Sequence, residues 1–199
     1  MTLPSWRRAL RAAVLFGIAG SCSGGRDYST APANQADICA IFSERPEWRD
    51  AAYAAARKWG APVPVQMAII WRESSFRPDV RPPKKYALGV IPDGHVSSAF
   101  GFAQAIDGTW DWYRRDSGNS DADRTDFEDA TDFVGWYMAK SEKANGIGMH
   151  DAYNQYLAYH EGHAGHRRKS YNAKAWLLDV AGKVAGQAVS YRGQLRNCS

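Results

Sequence analysis

Cysteine is scarce in this chain, with three in 199 residues, which excludes the disulfide-dense scaffolds that replace a core in small secreted domains. Long apolar runs are missing too. The longest near the start, Ala12 to Ala19, falls well short of the roughly 20 residues that a membrane-crossing helix needs. No internal repeat and no low-complexity run is present, so solenoid and fibrous architectures drop out. Net charge is small once its position is considered. The formal +4 includes Arg7, Arg8 and Arg11, and the first 21 residues hold no acid, so residues 22–199 carry 22 basic against 21 acidic side chains. Nucleic acid is therefore not an expected partner, because that needs a concentrated basic face, and Arg167-Arg168-Lys169 alone reads as a solvated helix end.

What is present starts with an address. Three arginines followed by Ala12-Ala13-Val14-Leu15-Phe16-Gly17-Ile18-Ala19 have the layout of a secretory signal, assigned here to residues 1–21 and set aside from the fold. The run ends in Ile18-Ala19-Gly20-Ser21-Cys22, and small residues just before a cysteine resemble the lipobox of bacterial lipoproteins. Cys22 would then be the lipidated first residue; the alternative is an ordinary cleaved signal with a cysteine nearby. Residues 22–35 are small and polar and read as a tether, with a reach of roughly 20 Å as a random coil. Assigning Cys22 to lipid leaves Cys39 and Cys198 as a candidate disulfide in an oxidising compartment, against two free buried thiols.

Residues 36–199 are long enough for one domain with a real core, at 45% hydrophobic residues overall, and the pattern is mainly α. Ile38, Ile41 and Phe42 share a helical face. Pro46 suits a first helical position, and Trp48, Ala51, Ala52, Ala55, Ala56 and Trp59 form a stripe that stops at Gly60. Pro64 can open a third helix, whose last turn carries Glu73 behind Met67, Ala68, Ile70 and Trp71. Further helices are expected at 107–116, 126–143, near 150–161, and from about 171 to 190 through Trp176, Leu177, Val180, Val184 and Val189. The segment 77–100 breaks this pattern. Pro78, Pro82 and Pro83 exclude a regular helix, while Tyr86 to Ile91 and the turn signal Pro92-Asp93-Gly94 allow a small β-hairpin. It either lines a cleft or is a plain surface loop.

Three short motifs carry the chemistry: Glu73-Ser74-Ser75-Phe76, Gly101-Phe102-Ala103-Gln104, and Ala158-Tyr159-His160-Glu161-Gly162. Breaking a glycosidic bond needs a proton for the leaving oxygen, and a carboxyl group against apolar side chains keeps a raised pKa and so stays protonated near neutral pH. Glu73 follows Ile69, Ile70 and Trp71 and fits that demand. Taken alone it could equally be a capping glutamate or an ion pair with Arg72 or Arg77.

The three motifs together, in this order and in a helical domain, resemble the signatures of the soluble-type lytic transglycosylases, which share the goose-type lysozyme fold. The resemblance covers about residues 36–190. It implies that Glu73 is the catalytic acid and base, that Ser74 belongs to its motif, and that Gly101, Phe102 and Gln104 line the sugar cleft. It also implies that Tyr159 orients Glu73 through its hydroxyl. The implied reaction cleaves the β-1,4 bond between N-acetylmuramic acid and N-acetylglucosamine in peptidoglycan, with the muramyl 6-hydroxyl attacking its own anomeric carbon to give a 1,6-anhydro product. No cofactor is implied, and a monomer is expected. A lysozyme-like hydrolase and a non-catalytic wall-binding lipoprotein are the other two readings.

Two departures from the family pattern stand out. The connection from Glu73 to Gln104 is long, and His160-Glu161 stands where many relatives have Asn and a small residue. Glu161 is a candidate second carboxylate favouring hydrolysis, or else a cap or an ion pair with Arg167 or Arg168. His160, His163 and His166 lack the His-Glu-x-x-His spacing of a zinc site, and Gly162 and Gly165 interrupt the helix, so no metal site is assigned. Trp110, Trp112 and Tyr113 could stack on sugars but sit at core spacing. The expected location is the periplasmic face of the outer membrane, reached through the signal peptide and the lipid on Cys22.

Overall fold

A computed structural model describes residues 30–87 and 91–198. The leader, the lipidation candidate Cys22 and most of the tether lie outside the described residues. Among the described residues, seven α-helices and one hairpin make a mainly helical domain: α1 (Ile38–Glu44), α2 (Pro46–Trp59), α3 (Val63–Ser74), β1 (Lys84–Ala87), β2 (Ile91–His95), α4 (Asp107–Ser117), α5 (Phe127–Asn145), α6 (Ala152–Arg167) and α7 (Ala175–Gln194). A 3-10 turn over Ser170–Ala173 precedes α7.

Local chemistry sets most boundaries. The Asp37 side chain accepts from the amides of Cys39 and Ala40 and starts α1, satisfying donors that a helix start leaves open. Gly60, Gly118 and Gly146 take the left-handed conformation that closes α2, α4 and α5, as helix ends prefer. α3 is different because it is buried nearly all round, with Val65, Met67, Ala68, Ile69 and Ile70 without exposed surface. It packs against α5 and α7 and forms the centre of the domain. An aromatic cluster closes one end of the core: Trp48 stacks on Phe127 at 3.9 Å, and Phe102 meets both rings edge-on at 5.5 and 5.2 Å.

The chain ends are clasped together. Cys39 and Cys198 form a disulfide with Cα atoms 5.5 Å apart, and Gln194 of α7 accepts from the Ile38 amide and donates to the Ala36 carbonyl. The end of the expected tether belongs to the domain. Pro32 is buried, Arg45 donates to the Thr30 carbonyl and Tyr191 to that of Gln35, so the chain is held from Thr30 onward.

Two expectations are corrected. In α7 the buried stripe is Leu177, Ala181, Val184, Ala188 and Tyr191, whereas Trp176 and Val189 are 54% and 65% exposed; helical phase places them on the outer face. In the hairpin, Pro92-Asp93-Gly94 lies within β2 and is not the turn, since Tyr86 pairs with Pro92 and Ala87 with Ile91. Lys84 pairs with His95 across a register shift, and Gly94 takes φ +74°, so the residues that read as a turn make a β-bulge.

Candidate active site

The end of α3 is bent sharply. Ser75 and Phe76 both have positive φ, 52° and 58°, a conformation that costs a non-glycine residue free energy and persists only where surrounding packing enforces it. Phe76 supplies that packing, being fully buried and 5.9 Å from the Trp48 ring. The bend leaves Glu73, just before it, opening into a cleft of about 440 Å³. Ser97, Ala99, Gln104, Ala105, Ile106 and Thr109, from the insertion through the start of α4, line it together with Phe133 and Tyr137 of α5 and Tyr159, His160, Glu161 and Gly162 of α6.

Glu73 is partly open to this cleft, but protein encloses most of its side chain. Burial raises its pKa from 4.5 to about 7, against smaller lowering effects of a hydrogen bond from Tyr156 and the positive charge of Arg72. Neither of the ion pairs considered from sequence satisfies it. Arg77 is turned to the Ser74 carbonyl at 3.3 Å, and Arg72 is solvent-exposed and reaches Glu73 through its charge, its hydrogen bond going to Tyr156. A carboxyl group with a pKa near neutrality can both give and take a proton near pH 7.

The second and third motifs meet across the cleft. The Tyr159 hydroxyl donates to the Ala103 carbonyl at 2.5 Å, which ties α6 to the loop before α4. Gln104 also has positive φ, 49°, and its amide donates to the carbonyls of Val80 and Gly101 at 2.8 and 2.9 Å. α6 breaks at Gly162, whose φ of 71° and ψ of 160° are accessible almost only to glycine. One turn before the break, the Ala158 carbonyl accepts from the Tyr137 hydroxyl at 3.2 Å.

Glu161 is held at that break. Lys174 Nζ lies 2.5 Å from its Oε1, Ser170 donates to its Oε2, and His160 Nδ1 is 3.1 Å away. Burial pushes its pKa up, but the hydrogen bonds from Lys174, Ser170 and His160 outweigh that and hold it at about 2.

The profile of the transglycosylase SLT domain matches residues 10–198. The chain belongs to the transglycosylase SLT family. No curated protein matches it. Membership makes peptidoglycan the substrate class and lytic transglycosylase activity the general function.

Within this transglycosylase domain the residues of the three motifs are unequal. Glu73, Gln104, Tyr159 and Glu161 all line the cleft. Phe102 does not; it is 2% exposed in the aromatic cluster with Trp48 and Phe127. Gly101 is required by the protein itself, because a Cβ there would lie 2.1 Å from the Arg124 carbonyl oxygen, at a φ of 78°. Ser74 is buried and donates to the Ile70 carbonyl within α3. These three support the cleft and are not on its surface.

The hydroxyl that bonds Glu73 belongs to Tyr156 and not to Tyr159, whose own goes to Ala103. Tyr156 lies one turn earlier on α6, and its three-residue spacing from Tyr159 was the available sequence signal. Glu161 is ion-paired with Lys174, not with Arg167 or Arg168. Trp110 and Tyr113 are core residues at 3% and 0% exposure. The insertion is divided: its returning end, Ser97 and Ala99, lines the cleft, while Tyr86, Ile91 and Val96 are exposed. The three histidines of α6 face different partners, His160 to Glu161, His163 to Ser141 and His166 to Asn145. Among the described residues no group of three metal-binding side chains comes together.

Proposed function

We infer that this domain cleaves the β-1,4 bond between N-acetylmuramic acid and N-acetylglucosamine in peptidoglycan, giving 1,6-anhydromuramyl ends, with Glu73 as both acid and base. The observation that carries this is a cleft lined by two carboxyl groups of unequal surroundings: Glu73, desolvated and in no ion pair, and Glu161, bound by Lys174, Ser170 and His160. Protonated Glu73 donates its proton to the departing glycosidic oxygen as the bond to the anomeric carbon breaks. The resulting carboxylate takes the proton of the muramyl 6-hydroxyl, whose oxygen closes on that carbon. Because this nucleophile is tethered to the sugar it attacks, no second protein group is needed to place it. Hydrolysis asks for a second carboxylate to activate a water. Glu161 is a poor candidate, being a weak base with three hydrogen bonds already made.

Tyr156 keeps the Glu73 carboxyl in place, and its hydrogen bond prevents the pKa from rising further. Gln104 spends its amide hydrogens on Val80 and Gly101, which leaves its carbonyl oxygen as the acceptor for a sugar hydroxyl or acetamido group. Export through residues 1–21, a lipid on Cys22 and a place at the periplasmic face of the outer membrane complete the proposal, with cell-wall remodelling as the role. Mass spectrometry of digested peptidoglycan tests the reaction. Anhydro-muropeptides that vanish in Glu73→Gln are expected; reducing ends would mean hydrolysis, and full activity of Glu73→Gln would remove Glu73 from the mechanism.

A further inference from the structure

Trp176, the second residue of α7, leaves 54% of its surface exposed. Single exposed apolar residues are ordinary, but this one is joined to the cleft. Its ring meets His160 edge to face, with centroids 5.2 Å apart and planes at 78°, and His160 lines the cleft wall. The imidazole is also held by Glu161, at 3.1 Å from Nδ1. Glu161 in turn is pinned by Ser170 and Lys174 from the segment that leads into α7. Holding the carboxylate on that segment therefore also sets where the indole stands.

The chemistry of this rim matches that of a pyranose ring. Sugar C–H faces stack on aromatic surfaces, with the indole the largest such surface a side chain offers, while sugar hydroxyls need hydrogen-bond partners beside it. With Nδ1 bonded to Glu161, His160 keeps Nε2 for a ligand. We propose that His160 and Trp176 form an additional sugar subsite that continues the cleft beyond the Gly162 break and holds a further saccharide of the same glycan strand. Continuity with the cleft wall through His160 identifies the occupant, and the subsite rests on the glycan-cleaving function inferred above.

The test is calorimetric titration of the Glu73→Gln protein at pH 7 with N-acetylglucosamine oligomers of increasing length, which carry the sugar backbone of the glycan without being consumed. Affinity rises with length, and Trp176→Ala weakens the long oligomers by about five- to tenfold while leaving short ones unchanged, as expected for loss of one aromatic stacking contact. Trp176→Phe recovers most of the difference. An unchanged length dependence in Trp176→Ala overturns the subsite, as does an equal loss for short and long oligomers. If Glu73→Gln binds no oligomer of any length, the glycan function itself fails and the subsite with it. Because Trp176 is largely exposed, thermal melting of the variant is expected to match the parent.

Discussion

Replacing Glu73 by glutamine stabilises the protein in a way that depends on pH. The carboxyl pKa is raised from 4.5 to about 7 by burial, so the fold favours its protonated form. The contribution of this group is complete below about pH 4.5 and is lost as pH rises through about 7. Glutamine is neutral throughout, nearly the same shape, and can accept the Tyr156 hydrogen bond. Between those two values each pH unit costs the wild type about 1.4 kcal/mol relative to the variant, or about 3 kcal/mol by pH 8 as an upper bound. In a domain of this size that widens the gap in melting temperature by about 6–12 °C between pH 4 and pH 8. Other titrating groups, such as Glu161, His163 and His166, are common to both proteins and cancel in the difference. Urea unfolding of the two proteins at one-unit pH steps measures it directly. A difference that stays flat across this window would refute the claim that Glu73 is desolvated, and a difference of opposite sign would mean that Arg72 governs it.

Three further outcomes follow from the same geometry. Tyr156→Phe removes a hydrogen bond that lowers the Glu73 pKa, so the alkaline limb of the activity profile shifts to higher pH; a shift downward or none contradicts that bond. Phe102→Ala costs about 3–5 kcal/mol of stability in chemical denaturation, the usual value for emptying a packed aromatic site, whereas a residue lining the sugar cleft would lower activity with little change in stability. Removing the Cys39–Cys198 bridge, which spans 159 residues, costs about 4–5 kcal/mol on the chain-entropy account, measured as the loss of unfolding free energy in Cys39→Ser with Cys198→Ser.

The helices were legible where one face is buried and the other wet. Trp48, Ala51, Ala52 and Ala55 in α2 show this, and their stripe matches the buried face. α3 offered no such contrast because it is buried almost all round, so its limits rested on Pro64 and on the acid in its last turn. In α7 hydrophobicity alone misassigned Trp176, because an exposed indole has no sequence mark distinguishing it from a core one. The candidate site was legible as three motifs but not as contacts. Whether a motif residue touches ligand or protein is a tertiary fact: Gly101 answers to the Arg124 carbonyl, and Phe102 to Trp48, both distant in sequence. Tyr156 escaped because a tyrosine within an aromatic-rich helix resembles core until its partner is known.

The site places its destabilising features together and its supports around them. Ser75, Phe76 and Gln104 hold left-handed backbone without being glycine, at a cost of order 1–3 kcal/mol each, and Glu73 adds the desolvation of a carboxyl group. All four belong to the first two motifs and sit within or beside the cleft. The compensation comes from rigid groups next to them: Phe76 against Trp48, the Gln104 amide on Val80 and Gly101, and Tyr159 on Ala103. A cleft built this way has little freedom to rearrange around Glu73. Protonation of Glu73 is then the change that the proposed mechanism asks of this site between the two halves of the reaction.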